Sequence, residues 1–431
     1  MFFPDWPGRG RARLGVLCIL AFCLLLAGGC GSKQKKGQPL SMPSLIIPGD
    51  EGGEPLTPAE LTAFQSTARI DRDIHKASMP DVVLQYKHFL RKGRGTMSVF
   101  SRNAEPYLGY ARKVFRSRGM PEELAYLALV ESGYRPDAES RVGALGAWQF
   151  MPYTGMKYGL TQDWWLDERL DPYRATEAAA DYLQKLYGDF RDWPTAIAAY
   201  NAGEGKMSRA KEGTGARNFY EVVERNHKLD EKARLRPETV QYVPRFLAMS
   251  KIMRNLPQLG VTPVDQDKPA PVRRLTARPG TDLMALSRAC GLSWESFQGY
   301  NLHHKRTISS TERSTFVYVP VQNEAQAQAF LRSPSASAFA NWRPTKVQTS
   351  SDSLARISKR SGVPLERIQA ANPEKKKIYA GDTLLLPRGV PMSPSAVAAA
   401  DGKPSRKERS SDRDRQERRA EPSGGVYVLR P

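Results

Sequence analysis

The sequence has 431 residues, with 65 Lys and Arg against 45 Asp and Glu and a formal net charge of +20. This length favours two or three domains over a single one. The basic balance implies an acidic partner such as nucleic acid, anionic lipid or an acidic polymer. The 4 cysteines and 5 histidines show no ligand spacing of the H-E-x-x-H kind, so no metal and no cofactor are expected.

The first residues predict a secretory signal over 1–29. Three arginines precede the apolar run "LGVLCILAFCLLLA", which is too short for a comfortable membrane span. Small residues then lead into Cys30 and resemble the bacterial lipobox, in which the cysteine carries the lipid. Leu26 lies four residues before Cys30, where the motif usually has its large aliphatic residue three before. Gly31 follows, and by the lipoprotein sorting rule it favours the periplasmic face of the outer membrane. The alternative is ordinary cleavage and a free secreted protein.

Residues 30–58 are rich in Gly, Pro, Ser and Lys and predict a flexible tether. Over 59–256 apolar residues recur at helical spacing without strand-like alternation, which predicts an all-α domain with its core at 105–225. Within it, "MPEELAYLALVES" opens on Pro121 and two glutamates and places Glu131 on the last helical turn. The helix dipole and the apolar neighbours both disfavour an anion there, so we predict a raised pKa for the Glu131 carboxyl.

Two units with the order strand, helix, helix, strand follow at 272–321 and 345–389, and they form an internal repeat. The second unit resembles the LysM module. The first is a degenerate version, because "HHKRTISSTERS" stands where a compact turn is usual. Residues 390–431 predict a disordered basic tail. The tail ends in "VYVLRP", which is either the first strand of a further LysM unit or simply the end of the tail.

Three local patterns in the helical domain carry candidate chemistry: "ESGY" from Glu131, "SRVGALGAWQFMP" over 140–152, and "AIAAYNAGEG" over 196–205. Glycines in the second pattern let the backbone approach another group closely. Gln149 offers an amide beside the flat ring of Trp148. Each pattern alone is weak, because glycine-rich loops with aromatic residues are common.

Together and in this order, the three patterns resemble the soluble lytic transglycosylase family, whose fold is similar to that of goose-type lysozyme. The segments "WWLDERLDPYRATEAAADYL" and "RPETVQYVPRFLA" are also similar to sequences of that family. The resemblance covers roughly 59–252 together with the signal and the repeats, as in membrane-bound members with LysM modules. It implies a multidomain chain with an all-α lysozyme-like catalytic domain followed by two small LysM-like βααβ modules.

The resemblance also implies roles for single residues. Glu131 takes the place of the catalytic acid and base. The implied substrate-binding residues are Ser140, Trp148, Gln149, Met151, Tyr200, Asn201 and Tyr242. Ser140 would orient the N-acetyl or hydroxymethyl group, and Tyr200 and Asn201 would position the sugar and Glu131. Trp148 departs from the methionine common in the family, and both stacking on a sugar and packing in the core stay open for it.

A water-using glycosidase needs a second carboxylate, and no motif demands one here. The candidates are Asp137, Glu139, Asp163, Asp167 and Glu168, although Asp167 and Asp171 look like helix caps or loop anchors. The family resemblance implies that none is needed. Glu131 would protonate the glycosidic oxygen and then take a proton from the muramoyl C6 hydroxyl, which yields a 1,6-anhydro sugar.

The sequence therefore predicts a monomeric lytic transglycosylase that acts on peptidoglycan glycan strands and is held at the membrane by a lipid on Cys30. The LysM-like modules would raise the local concentration of cleavage sites on an insoluble polymer. The alternatives are a hydrolytic muramidase and a non-catalytic peptidoglycan-binding lipoprotein. A nucleic-acid binder is the weakest alternative, because the basic residues lie mainly in linkers and tail rather than on one patterned face.

Overall fold

The computed structural model describes residues 54–72, 78–91, 93–348 and 352–392. The predicted signal peptide, Cys30, most of the tether and nearly all of the basic tail lie outside the described residues. Within the described part of the chain, no helix is both long and apolar enough to cross a membrane.

The described chain divides into two compact units. The helical unit contains the described residues up to Arg274 together with Ser293–Lys305 and Tyr318–Glu324. The C-terminal unit contains Leu275–Leu292, Arg306–Val317 and the described residues from Ala325 onward.

Helices make up the regular structure of the chain up to residue 261. They are α1 (Pro58–Gln65), α2 (Met79–Arg91), α3 (Arg94–Ala104), α4 (Leu108–Ser117), α5 (Leu127–Ser132), α6 (Pro152–Lys157), α7 (Pro172–Phe190), α8 (Trp193–Ala202), α9 (Glu204–Thr214), α10 (Phe219–Arg225) and α11 (Pro237–Arg254). A 3-10 helix, Glu122–Tyr126, leads directly into α5. Extended pairing in this region takes the form of isolated bridges such as Glu139 with Leu145. The prediction of an all-α domain is confirmed.

Side-chain caps and alanine-rich faces explain why α7 and α8 form and pack together. The Asp171 side chain accepts the backbone N–H groups of Tyr173 and Arg174 at the start of α7. At the start of α8, Asp192 accepts the N–H of Thr195 at 2.9 Å. Both helices bury alanines, namely Ala175, Ala178, Ala179, Ala180, Ala196, Ala198 and Ala199. Small side chains let the two helix backbones approach closely, and the end of α8 is thereby fixed.

The long helix α11 crosses the centre of the helical unit. It packs against α2, α5 and α8, and Tyr242, Phe246 and Met249 on it are buried in the core. Because α11 contacts both α5 and α8, it brings its own side chains to the ends of those two helices. The two family-like segments around Glu131 and Tyr200 therefore meet on α11.

The repeats follow the predicted order of elements. The first contains β1 (Val272–Ala277), α12 (Leu283–Ala289), α13 (Trp294–Tyr300) and β2 (Thr315–Pro320). After α14 (Glu324–Arg332), the second contains β3 (Trp342–Lys346), α15 (Leu354–Ser361), α16 (Leu365–Ala371) and β4 (Thr383–Pro387). β1 pairs with β2, and β3 pairs antiparallel with β4 from Trp342 opposite Pro387 to Lys346 opposite Thr383.

An asparagine after the second helix performs the same task in each repeat. Asn301 accepts the N–H of Tyr318 at 2.7 Å and donates to its carbonyl at 2.8 Å. Asn372 accepts the N–H of Leu385 at 2.7 Å and donates to its carbonyl at 2.9 Å. The same pair of hydrogen bonds, from the end of the second helix to the last strand, occurs in both units and supports the internal repeat.

The first repeat differs from the prediction in one respect, because its residues are divided between the two units. Its Tyr318 belongs to the helical unit. There the Tyr318 hydroxyl donates to Asp171 Oδ2 at 2.8 Å, and the ring centroid lies 5.0 Å from that of Tyr173. A buried hydrogen bond and aromatic packing hold this segment in the helical unit, so the first repeat is not a compact unit of its own.

Candidate active site

Glu131 lies on the last turn of α5, as predicted. Gly133 ends the helix in the left-handed conformation with φ 64°, which glycine adopts without steric cost. The Glu131 side chain is half-buried. Its Oε1 accepts a hydrogen bond from the Tyr242 hydroxyl on α11. The carboxyl therefore sits where three helices meet and has one fixed oxygen.

Burial raises the pKa of the Glu131 carboxyl from its usual range to about 7. The Tyr242 hydrogen bond opposes this rise in pKa, the negative charge of Glu238 adds to it, and Arg245 opposes it weakly. The direction agrees with the prediction, with removal from water as the largest cause. A carboxyl with a pKa near 7 populates both its acid and its base form at neutral pH, which suits a group that must give and then take a proton.

Helix α11 supplies more of the site than Tyr242. Glu238 lies one turn before Tyr242, and its charge reaches Glu131. Thr239 Oγ1 donates to Asn201 Oδ1 at 2.8 Å, which ties α11 to the end of α8. Sequence reasoning missed Glu238 and Thr239. The spacing of Glu238 and Tyr242 in "RPETVQY" was the available signal, since residues four apart share a helix face.

Tyr200 lies beside Glu131 at the end of α8. Its hydroxyl donates to the carbonyl of Trp148 at 3.0 Å. Burial raises the pKa of Tyr200 well above its usual value, and the charge of Glu131 contributes to that rise. The structure thus brings Glu131, Tyr200, Asn201 and Tyr242 together around one position.

The glycine-rich segment forms a tight loop beside these residues. Ser140 Oγ accepts a backbone N–H four residues on at 2.8 Å. Gly146 has φ 81°, and a Cβ there would lie 1.9 Å from the carbonyl oxygen of Arg169. Gln149 has φ 50°, and its Nε2 donates to the carbonyls of Gly146 at 2.9 Å and Ala138 at 3.2 Å. The Gln149 amide nitrogen therefore holds the loop, and Oε1 is the end left to contact a ligand.

Arg169 organises the same loop, and sequence reasoning missed it. Its guanidinium donates to the carbonyls of Gly143 at 2.8 Å and Phe150 at 3.2 Å. It also forms an ion pair with Asp167 at 2.8 Å. Arg169 is buried, so these bonds replace its hydration. Nothing in "DERLDP" indicated this role, because the partners lie about 20 residues earlier in the chain.

Trp148 packs in the core. It is fully buried, its Nε1 donates to Thr176 Oγ1 at 2.9 Å, and its ring lies 5.9 Å from that of Phe115. The prediction of Trp148 as a substrate-binding residue is therefore corrected. Its ring packs in the core, and no face of the ring is exposed for a sugar. The exposed side chains next in the chain are Met151 at 42% and Tyr153 at 75%.

The acidic residues considered as second carboxylates form ion pairs, accept backbone hydrogen bonds or are exposed to solvent. Asp137 lies 3.5 Å from Arg135, and Glu139 is exposed. Asp163 caps the backbone of Trp165 and Leu166, Asp167 pairs with Arg169, and Glu168 accepts the Thr161 N–H at 2.7 Å. Asp167 and Asp171 are helix caps, as predicted. The second carboxylate whose charge reaches Glu131 is Glu238.

Comparison with known proteins identifies two domain families in the chain. The family described as "Transglycosylase SLT domain" matches residues 111–223, and "LysM domain" matches 349–387. Membrane-bound lytic murein transglycosylase D of Escherichia coli (strain K12) is 29% identical over 324 residues, which cover 72% of this chain and 69% of that protein. Peptidoglycan transglycosylase gp16 of Escherichia phage T7 is 38% identical over 104 residues, which cover 23% of this chain and 8% of that protein.

Among solved structures, the 70 kDa soluble lytic transglycosylase of Escherichia coli is 25% identical with a TM-score of 0.28, and the match covers 35% of this chain and 24% of that chain. The SLT and LysM matches lie on separate stretches of the chain. The chain thus carries a Transglycosylase SLT domain and, after it, a LysM domain.

Proposed function

We propose that this protein cleaves the β-1,4 bond between N-acetylmuramic acid and N-acetylglucosamine in peptidoglycan and leaves 1,6-anhydromuramic acid ends. The observation that carries the proposal is the half-buried Glu131, whose pKa is raised to about 7 and whose Oε1 is held by Tyr242. The substrate class is supported by the names of two relatives, a murein transglycosylase and a peptidoglycan transglycosylase.

In the proposed reaction, protonated Glu131 gives its proton to the glycosidic oxygen as the bond from that oxygen to the muramoyl C1 breaks. The substrate's own N-acetyl carbonyl stabilises the positive charge at C1. The Glu131 carboxylate then takes the proton of the C6 hydroxyl, whose oxygen bonds to C1. One bond breaks and one forms, the proton returns to Glu131, and no water is consumed. A single carboxyl near pKa 7 serves both steps.

The neighbouring residues have proposed roles that follow from their contacts. Because Tyr242 occupies Oε1 of Glu131, the proton in transfer belongs on Oε2. Asn201 uses Oδ1 for Thr239, which leaves its amide N–H groups for the sugar. Gln149 Oε1, the Ser140 hydroxyl and the exposed Met151 are the remaining proposed substrate contacts. The LysM repeats are proposed to hold N-acetylglucosamine-containing chains near the cleft.

Glu131→Gln tests the assignment. The expected result is a fall in cleavage of purified sacculi of at least about 100-fold, while the variant still sediments with sacculi. Glu139→Gln is the matched control, because Glu139 is an exposed carboxylate of the neighbouring loop. Full activity in purified Glu131→Gln protein would refute the proposal.

Hydrolysis is the second candidate, and the proximity of Glu238 favours keeping it. Its negative charge raises the pKa of Glu131, so the Glu238 carboxylate is the candidate base that would take a proton from an attacking water, with Glu131 as the acid. Mass spectrometry of the products decides between the two reactions, because an anhydro end is lighter by one water than a reducing end. Products with only reducing muramic ends would establish hydrolysis and leave the fold assignment intact.

We also propose that a lipid on Cys30 anchors the protein to the periplasmic face of the outer membrane. The support is the sequence around Cys30 and the description of the Escherichia coli relative as membrane-bound.

A further inference from the structure

The stretch "HHKRTISSTERS", which replaces a compact turn in the first repeat, begins with a segment that pairs with a loop of the helical domain. We call residues 303–305 the pairing segment, and they belong to the helical unit, as does the loop before α7. The N–H of Asp167 in that loop donates to the carbonyl of His303 at 2.9 Å. The N–H of Lys305 donates to the carbonyl of Trp165, also at 2.9 Å. Together these two bonds form an antiparallel bridge between the segment and the loop.

Side chains of the first repeat reinforce this pairing. Lys305 Nζ donates to the carbonyl of Asp163 at 2.6 Å. The ring of the buried His303 lies 5.7 Å from that of Tyr318. The Tyr318 hydroxyl donates to Asp171 at 2.8 Å, and Asp171 caps α7 directly after the loop. The first repeat therefore holds the loop at both of its ends.

The paired loop carries the ion pair that shapes the glycine-rich loop. Both carboxylate oxygens of Asp167 accept bonds from the Arg169 guanidinium, at 3.0 and 2.8 Å. Arg169 in turn donates to the carbonyls of Gly143 and Phe150. A bidentate ion pair fixes the orientation of the guanidinium as well as its distance. A shift of the Asp167 backbone would therefore move the guanidinium and both ends of the glycine-rich loop.

The glycine-rich loop is itself bonded to the residues around Glu131. Ser132, the residue after Glu131, donates from its Oγ to the carbonyl of Ala147 at 2.7 Å. The Tyr200 hydroxyl donates to the carbonyl of Trp148 at 3.0 Å. A series of hydrogen bonds and one ion pair thus connects the first repeat with the end of α5.

We propose that the pairing segment is a positioning element of the active site. It acts through Asp167 and Arg169, and it holds the glycine-rich loop against the end of α5 that carries Glu131. This inference rests on the proposed function. The departure of the first repeat from the compact LysM turn thus supplies a strand edge to the catalytic domain, a task that the second repeat does not share.

Lys305→Pro tests the pairing, because proline has no N–H to donate to the carbonyl of Trp165. Lys305→Met combined with Tyr318→Phe is a milder variant, which loses two side-chain hydrogen bonds and keeps the backbone. The matched control, Lys113→Met combined with Tyr187→Phe, loses an ammonium group and a phenol hydroxyl on α4 and α7. Release of soluble fragments from purified sacculi by the full chain gives kcat and kcat/KM as a function of pH. Thermal unfolding checks that each protein is folded.

We expect Lys305→Pro to lower kcat about tenfold and the milder variant to lower it about threefold, because displaced positioning groups slow the reaction. The control variant retains the native kcat. The pH at which kcat/KM falls stays unchanged, because the contacts of Tyr242 and Glu238 with Glu131 are not altered. In an Arg169→Ala background, Lys305→Pro lowers kcat less than about twofold, because the series of contacts is already interrupted.

A native kcat in folded Lys305→Pro protein would refute the inference and leave the proposed function standing. The same holds for an equal loss of kcat with and without Arg169, since the segment would then act by another route. If Lys305→Pro does not fold, the milder variant decides by the same two criteria. Native protein that releases no fragments from sacculi would refute the proposed function itself.

Discussion

At Glu131, burial and one hydrogen bond together set the pKa of the carboxyl. Removal from water favours the protonated carboxyl, and the Tyr242 hydroxyl favours the carboxylate, with burial the larger of the two effects. Glu238 adds repulsion from one turn away on α11. The resulting pKa of about 7 means that neither protonation state is costly at neutral pH. The proposed reaction, in which one carboxyl acts first as acid and then as base, needs this balance.

The pH dependence of cleavage tests this account. The first step needs protonated Glu131, so we expect kcat/KM to fall as pH rises through about 7. Tyr242→Phe removes the hydrogen bond that lowers the Glu131 pKa. The fall in kcat/KM therefore moves to higher pH, and the rate drops about tenfold or more. Glu238→Gln removes the charge that raises the Glu131 pKa, so the fall in kcat/KM moves to lower pH. Asp137→Asn is the control, and we expect it to leave the pH of this fall unchanged. Shifts of both variants in the same direction would contradict the assigned causes.

The glycine-rich loop over 140–150 depends on a buried guanidinium for its shape. Arg169 holds Gly143 at one end of the loop and Phe150 at the other, and Gln149 is fixed between them with φ 50°. A non-glycine residue in the left-handed region is strained, so its conformation persists because the surroundings enforce it. We therefore assign Arg169 as a positioning residue for the loop.

Arg169→Ala should slow cleavage about 100-fold, because a small displacement of positioning groups is costly, and it should lower the free energy of unfolding by about 3 kcal/mol, because Asp167 loses its partner. Arg169→Lys keeps the charge but lacks the planar fork, and we expect it to restore stability more than rate. Neither variant should change the pH at which kcat/KM falls, because Glu131 sets that pH. The exposed Arg135→Lys is the control. A change in the pH at which kcat/KM falls, or full activity in Arg169→Ala, would exclude the positioning role.

In the whole chain, the two repeats share a pattern but differ in what surrounds them. The second lies within the C-terminal unit, and the first contributes Ser293–Lys305 and Tyr318–Glu324 to the helical unit. Its Tyr318 is bonded to the buried Asp171, whose pKa burial raises to about 7. This segment of the first repeat is therefore part of the core of the helical unit, whereas the second repeat is not.

The proposed anchor concerns the chain as a whole and is tested by Cys30→Ser. We expect the native protein to partition into detergent and to take up a radiolabelled fatty acid, whereas the variant stays in the aqueous phase without label. Cleavage of sacculi by the purified variant should match that of the native protein, because the site lies far along the chain from Cys30. Fatty-acid label on Cys30→Ser protein would exclude this cysteine as the anchor.

Local patterns in the sequence were enough to predict the elements of this protein and the position of Glu131 at a helix end. The caps at Asp167 and Asp171, the βααβ order of the repeats and the helix-end position of Glu131 all depend on neighbours within a few positions. Such features are set by capping and by periodic apolar spacing, which the sequence displays directly.

The partners of those residues were decided by packing between distant segments. Tyr242 lies 111 positions after the Glu131 that it bonds, and Arg169 lies 26 positions after Gly143. The burial of Trp148 and the placement of Tyr318 in the helical unit likewise required the assembled helices. Contacts of this kind have no local period, because they arise only when α5, α8 and α11 bury their apolar faces against one another. The helix-end position of Glu131 and the direction of its pKa shift could therefore be predicted from the sequence, and its contacts with Tyr242 and Glu238 could not.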